Sequence, residues 1–228
     1  MAHRSSEVVA ELEQEILAGT LNSGERLPSE EKLCERFDVS RTVVREAIQQ
    51  LRGRGLLRTL KGSGSYIADP SLETLGNALE TYSVLTPDDS FLDLIDLRIL
   101  IETECAKLAA THAGEKIIQQ MQTTIDEMEA SRGDRATFSR ADIAFHLAVA
   151  KGSRNSLYAT ILAGLERRCI DYANANRGSE DWYSMVINTH RAILNAISDS
   201  NPEAAATAMH RHLVLSRRHY VDQQEQRA

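Results

Sequence analysis

Apolar residues recur along most of this chain at the three-to-four-residue spacing of helices that bury one face. Val8, Leu12 and Ile16, with Leu17 beside them, mark a first helix from Glu7 to Ala18, which Gly19 ends. A turn-rich stretch follows, from Leu21 to Pro28. Ser29 then caps a second helix whose first turn holds Glu30 and Glu31, acids that suit the positive end of a helix dipole. Its inward residues are Leu33, Cys34 and Phe37. After a turn at Asp38-Val39, Ser40 caps a third helix, Arg41 to Gly53, with Val44, Ala47, Ile48 and Leu51 inward. From Leu56 the period falls to two. Leu56–Leu60 and Ser65–Ile67 alternate around Lys61-Gly62-Ser63-Gly64, a hairpin with a glycine turn. Two short helices, a tight turn, a capped third helix and a hairpin predict a winged helix-turn-helix over residues 5–69.

Asp69-Pro70 closes the hairpin, and from Leu72 the helical period resumes with almost no strand signal. Candidate helices span 72–84, 88–111, 115–131, 134–151, 155–176, 180–199 and 202–224, punctuated by Pro87, Gly114, Gly133, Gly152, Gly178 and Pro202. They predict a second domain over 72–222, an all-α antiparallel bundle large enough for its own core. The fold class is therefore mainly α.

Composition narrows the function classes. With 42% hydrophobic and 26% charged residues the chain has a globular balance rather than a disordered one. No apolar run approaches the roughly 18 residues of a membrane span, and the acidic, amphipathic N-terminus lacks a signal-peptide core. A cytoplasmic protein without a membrane partner is expected. Cys34, Cys105 and Cys169, odd in number and without paired spacing, read as reduced, buried thiols.

The net charge of −7 argues against a uniform coat for nucleic acid, but its distribution is uneven. Between Arg36 and Lys61 seven basic residues face two acidic ones, a local +5. Such a patch on an acidic body suits one polyanionic site; solvated arginines on helix faces would give the same count. Ser40, Arg41, Thr42 and Arg45 occupy the first turns of the third helix, the part of a helix-turn-helix that reaches DNA. There a helix N-terminus faces phosphate, arginine donates two parallel hydrogen bonds to guanine, and hydroxyls serve phosphate or base. Lys61 beside Gly62 at the hairpin tip suits a minor groove.

Four polar residues sit on apolar stripes. Asp142 and His146, at i and i+4, share the inward face of Phe138-Ala141-Asp142-Phe145-His146-Val149. His190 stands mid-stripe in Val186-Ile187-His190-Ile193-Leu194-Ile197, and His212 in Ala205-Ala208-Met209-His212-Leu215. A buried carboxylate and three imidazoles are costly without a partner, and a divalent cation would satisfy all four. Hydrogen-bonded core histidines are the alternative. His210, two residues from His212, points to the far side of its helix. Arg98, on the stripe Phe91-Leu94-Ile95-Arg98-Ile101-Glu102-Cys105, either pairs with Glu102 one turn on or turns its fork to an anionic ligand. Asn155 reads as a helix cap. A metal-dependent enzyme is a rival reading, opposed by the lack of a buried glutamate placed as general base near the stripe. A regulator with a purely structural metal is another.

The run LPSEEKLCERFDVSRTVVREAIQQLRGRGLLRTLKGSGSYI resembles the winged helix-turn-helix of the GntR family of bacterial regulators. Leu27-Pro28-Ser29-Glu30, the block Val39–Ala47 and the wing Lys61–Ile67 carry the likeness. It implies operator contacts by Ser40, Arg41, Thr42 and Arg45, with Lys61 and Gly62 at the wing tip and Ser29 in the DNA-facing set. Glu31 stands where the family often has arginine, and Arg36 is expected to replace that phosphate contact in part. Asp142-x-x-x-His146, His190 and His212-Leu213 are similar to the metal site of the FCD domain, the helical effector module of the FadR subfamily. Thr189 departs from the glutamate usual before the second histidine. The resemblance implies a bound divalent ion, zinc foremost, with nickel or manganese also compatible with mixed Asp/His ligation. It further implies a small organic or sugar acid effector at the ion and Arg98, a homodimer on double-stranded operator DNA, and repression of a catabolic operon.

Overall fold

The computed structural model describes residues 2–69, 71–85, 91–175 and 179–225; Pro70, Pro87 and Gly178, read above as punctuation, lie outside the described residues. The chain forms two compact units, Met1–Thr74 and Leu75–Ala228.

In the first unit α1 (Ala2–Leu17), α2 (Glu30–Phe37) and α3 (Arg41–Gly53) precede an antiparallel hairpin of β1 (Leu57–Leu60) and β2 (Gly64–Ile67). Both predicted caps form. Ser29 Oγ accepts the Lys32 N–H at 3.3 Å, and Ser40 Oγ accepts the Val43 N–H at 3.5 Å. The turn between α2 and α3 needs one left-handed residue, supplied by Asp38 at φ 49°, a type that tolerates that region. Leu57 and Ile67 face each other across the hairpin and are both buried with Leu12, Leu33, Val44, Ala47 and Leu51. One inward assignment needs correcting: Leu17, the last residue of α1, is 77% exposed, and Val9 takes the core position instead.

The second unit contains α5 (Phe91–His112), α6 (Glu115–Ala130), α7 (Arg135–Gly152), α8 (Ser156–Gly164), α9 (Glu166–Ala175), α10 (Glu180–Ser198) and α11 (Pro202–Glu225), preceded by α4 (Leu72–Leu85). α5 lies along α11, α6 along α7, and α10 against α11. Ile95, Cys105, Phe145, Val149, Ile187, Ile193 and Met209 form the centre of the core. The single helix expected over 155–176 is two, because the chain tightens at Leu165, whose N–H turns back to the Leu162 carbonyl. At Gly164 a Cβ would meet Leu79 Cβ at 2.7 Å and the Gly76 carbonyl at 3.0 Å, so only glycine permits this crossing of α4 and α8. Leu162, Leu165, Cys169 and Tyr172 are all buried, and their unbroken apolar spacing conceals the break in the sequence. No helix among the described residues is long and apolar enough to cross a membrane. The three cysteines are free; Cys105 and Cys169 are buried, but Cys34 only partly so.

Candidate functional site

Three helices bring four polar side chains to one point in the bundle. α7 supplies Asp142 and His146, α10 supplies His190, and α11 supplies His212; one donor atom from each lies within 4.8 Å of all the others. The imidazoles are buried and the aspartate partly so. Ring centroids are 5.2 Å apart for His146 and His190, 5.1 Å for His146 and His212, and 4.4 Å for His190 and His212.

The outward nitrogen of each ring is already engaged. His190 Nδ1 donates to the Val186 carbonyl at 2.8 Å. Thr189 Oγ1 lies 2.8 Å from that same carbonyl and 3.1 Å from the Met185 carbonyl, so its proton goes to the backbone. Its oxygen then accepts the Nδ1–H of His212, at 2.8 Å. His146 Nδ1 lies against Glu102 Oε2. Each ring thus keeps Nε2 as a bare lone pair, the arrangement by which second-shell acceptors set up metal-binding histidines.

Those lone pairs are what a cation would answer. The Nε2 atoms of His146 and His190 are buried without a hydrogen-bond partner. With its proton on Nδ1, His190 Nε2 has none to give Asp142 Oδ1, which approaches to 3.2 Å. Two electron-rich atoms facing each other in a dry interior are unfavourable unless a positive charge lies between them. Burial, outweighing the Glu102 charge, holds His146 below its ordinary pKa, and burial together with His190 and His146 holds His212 well below it. Both rings therefore stay neutral. Burial raises Asp142, but the three imidazoles around it, His190 foremost, hold its carboxyl well below the usual range. One carboxylate and three imidazoles are a donor set that fits a divalent cation.

Glu102 was missed. It is 1% exposed, accepts Arg98 Nε at 2.6 Å on Oε1, and turns Oε2 to His146. Burial pushes its carboxyl up, yet the Arg98 charge, with hydrogen bonds from His146 and Arg98, prevails and brings it to about 2. A buried glutamate does therefore stand beside the stripe. With Oε1 on Arg98 and Oε2 against His146 Nδ1, it orients His146 rather than acting as a base. The pair with Glu102 uses only Nε of Arg98, and Arg98 also lines a cavity of about 60 Å³ together with Asp142, His212 and Cys169. Pairing and cavity-lining are compatible. Burial pushes the Cys169 thiol up to about 11.

On the first unit Arg41, Thr42 and Arg45 are exposed along α3, as are Lys61 and Gly62 at the wing tip, where Gly62 takes φ +79°. Arg45 Nε meets Glu30 at 2.9 Å, with both side chains largely in solvent. Ser29 and Ser40 spend their hydroxyls on their own helices. Arg36, expected at phosphate, pairs here with Glu11 at 3.1 Å and with Glu15, linking α2 to α1, and keeps over a third of its side chain exposed. Arg54 likewise pairs with Glu13 at 2.6 Å. Arg26, outside the basic stretch read in the sequence, lines a groove with Arg45, Gln49 and Arg52, and its guanidinium lies over Gly64. Asn155 is a cap, its Oδ1 accepting the N–H groups of Leu157 and Tyr158.

Comparison with known proteins bears on both units. Residues 4–67 match the model described as bacterial regulatory proteins, gntR family, and residues 93–215 match the FCD domain. The chain is 30% identical over 200 residues to the HTH-type transcriptional regulator LutR of Bacillus subtilis (strain 168), covering 86% of this chain and 91% of that one. It is 31% identical over 218 residues to the Glc operon transcriptional activator of Escherichia coli (strain K12), covering 91% and 85%. Among solved structures it resembles Streptococcus agalactiae GntR, with a TM-score of 0.60, 30% identity, and coverage of 94% of this chain and 99% of that one.

Proposed function

The chain belongs to the GntR family of bacterial regulatory proteins and carries an FCD domain, and from that membership we propose a metal-containing repressor that answers to a small carboxylic acid. It is a transcriptional regulator rather than an enzyme. The reading rests above all on one observation: Asp142, His146, His190 and His212 bring donor atoms within 4.8 Å of one another beside a cavity that Arg98 lines.

In this reading the first unit, residues 5–69, binds the operator and the second, residues 72–222, senses. Asp142 and the three Nε2 atoms hold a divalent ion, zinc foremost. When bound, that ion supplies a Lewis acid for a carboxylate oxygen. Arg98 keeps Nε on Glu102 and turns its Nη groups to the same carboxylate, which orients the acid. Arg41, Thr42 and Arg45, with Lys61 and Gly62 at the wing, contact DNA; Ser40 presents the α3 N-terminus to phosphate while its hydroxyl caps. Ser29, whose hydroxyl caps α2, and Arg36, once its exposed pairs with Glu11 and Glu15 give way, belong to the same contact set. A homodimer would set two α3 helices about 34 Å apart on a near-palindromic operator in the cytoplasm. The acid acts only through unequal affinity for the DNA-binding and released arrangements.

Elemental analysis of the purified chain should find a stoichiometric divalent ion, absent from His146→Ala. Thermal shift with simple carboxylic acids, before and after chelation, should show stabilisation that chelation abolishes. Stabilisation by none of them would leave the ion a structural role alone. Transcription from the operator with and without acid gives the sign: loss of repression on adding acid is expected, and activation would put the protein with the Glc operon activator among its relatives.

A further inference from the structure

Between α3 and the hairpin of the first unit runs a groove of about 440 Å³. One wall is the face of α3 that carries Arg45, Gln49 and Arg52, whose i, i+4, i+7 spacing sets them in line along the helix. Thr59 and Ser65, partners in the hairpin register, stand on the other side with their hydroxyls 3.4 Å apart. Arg26 completes that side. Its guanidinium lies on Gly64, where a Cβ would meet Nε at 3.2 Å and Nη2 at 3.3 Å. The bare glycine backbone is what leaves room for it.

Each of these side chains offers a hydrogen-bond donor. Glu30 is the one acid among the residues that line the groove, and it already meets Arg45 at 2.9 Å. Arg36, Arg45 and Arg54 all have glutamate partners, but among the described residues Arg26 and Arg52 have no ion pair. Donors on both sides and two uncompensated cations suit a run of phosphates.

The position of the groove says which phosphates. In the docking proposed above, the first turns of α3 enter the major groove while Lys61 and Gly62 lie in the minor groove. The sugar–phosphate strand that divides those two grooves then passes between helix and hairpin. With 13 residues α3 is about 20 Å long, against roughly 12 Å for the width of the major groove. Its later turns, with Gln49 and Arg52, therefore reach past the base edges to that strand.

We propose that Arg26 and Arg52 grip this strand from opposite sides, with Gln49, Thr59 and Ser65 as neutral donors to the same phosphates. This rests on the reading that α3 and the wing dock on duplex DNA. The grip reads no sequence; it fixes the register and orientation in which Arg45 meets the bases.

The test is binding of the full chain to two labelled duplexes of about 20 base pairs, followed by fluorescence anisotropy over about 50–200 mM KCl. One duplex is selected from a random pool for tight binding, and the other is its scrambled counterpart. Arg26→Ala and Arg52→Ala should each flatten the slope of log affinity against log salt by about 0.9 per bound chain. Each should weaken both duplexes by the same factor, about fivefold near physiological salt. Arg52→Lys keeps the charge and should hold the wild-type slope. Both arginines are exposed, so the variants should melt with the wild type. An unchanged slope in either alanine variant would overturn the grip, while weaker binding of the selected duplex by Arg45→Ala would leave the docking standing. A loss confined to the selected duplex would also overturn it, because the arginines would then be reading bases. If the wild type binds neither duplex, the DNA-binding reading itself fails, and the grip with it.

Discussion

Arginine is used in opposite ways in the two units. In the first, Arg36, Arg45 and Arg54 pair with glutamates at the surface, each with a third or more of its side chain in water. In the second, Arg98 and Glu102 are about 10% and 1% exposed, and the carboxylate reaches on to His146. Exposed pairs contribute about 0–1 kcal/mol and weaken with salt, so they can be exchanged for phosphate. A buried charge stripped of its partner is far more costly, so the Arg98–Glu102–His146 arrangement is fixed before any ligand arrives. One unit keeps its cations available; the other keeps its cation aimed.

Breaking the buried network should give the largest effect. Glu102→Leu leaves the Arg98 guanidinium uncompensated and should cost about 3–5 kcal/mol of stability in urea denaturation. A loss below about 1 kcal/mol would mean that the pair is solvated after all. On the exposed side, Arg45→Ala should weaken specific operator binding by about 1–3 kcal/mol if it reads a base. An unchanged footprint would remove α3 from the base-reading role. Thr189→Val takes away the oxygen that accepts from His212 Nδ1 while keeping the shape, and should lower metal affinity by about 10–100-fold in a chelator competition. Unaltered affinity would make the hydroxyl incidental. The smallest change belongs to Glu30→Gln, which frees Arg45 from its surface partner. Stability should move by less than about 1 kcal/mol, and operator affinity should rise slightly. A large loss of stability there would dissolve the contrast between the units.

How far the sequence could be read follows the range of each interaction. Ser29 and Ser40 act on their own helices three residues away, and Gly62 on its own turn, so the winged unit was legible almost residue by residue. Asp142, His146, His190 and His212 were legible because each interrupts an apolar stripe, a contradiction visible within one helix. Glu102 was not. At i+4 from Arg98 it already looks satisfied, and the target of its second oxygen lies on another helix. The pairing of Arg36 was hidden for the same reason, since its glutamates come from α1, more than twenty positions earlier. The break at Leu165 left the apolar spacing undisturbed, and the close packing of Gly164 on Gly76 and Leu79 comes from residues far away in the chain.

Cys169 carries a chemical consequence. At neutral pH a thiol whose pKa stands near 11 offers almost no thiolate, the form that alkylating agents, peroxides and soft ions attack. A sulfur so near the cluster is thus a poor nucleophile, slow to be alkylated or oxidised, while the donor set remains nitrogen and oxygen. A response tied to this cavity would then persist through oxidative stress that silences proteins built on reactive cysteines.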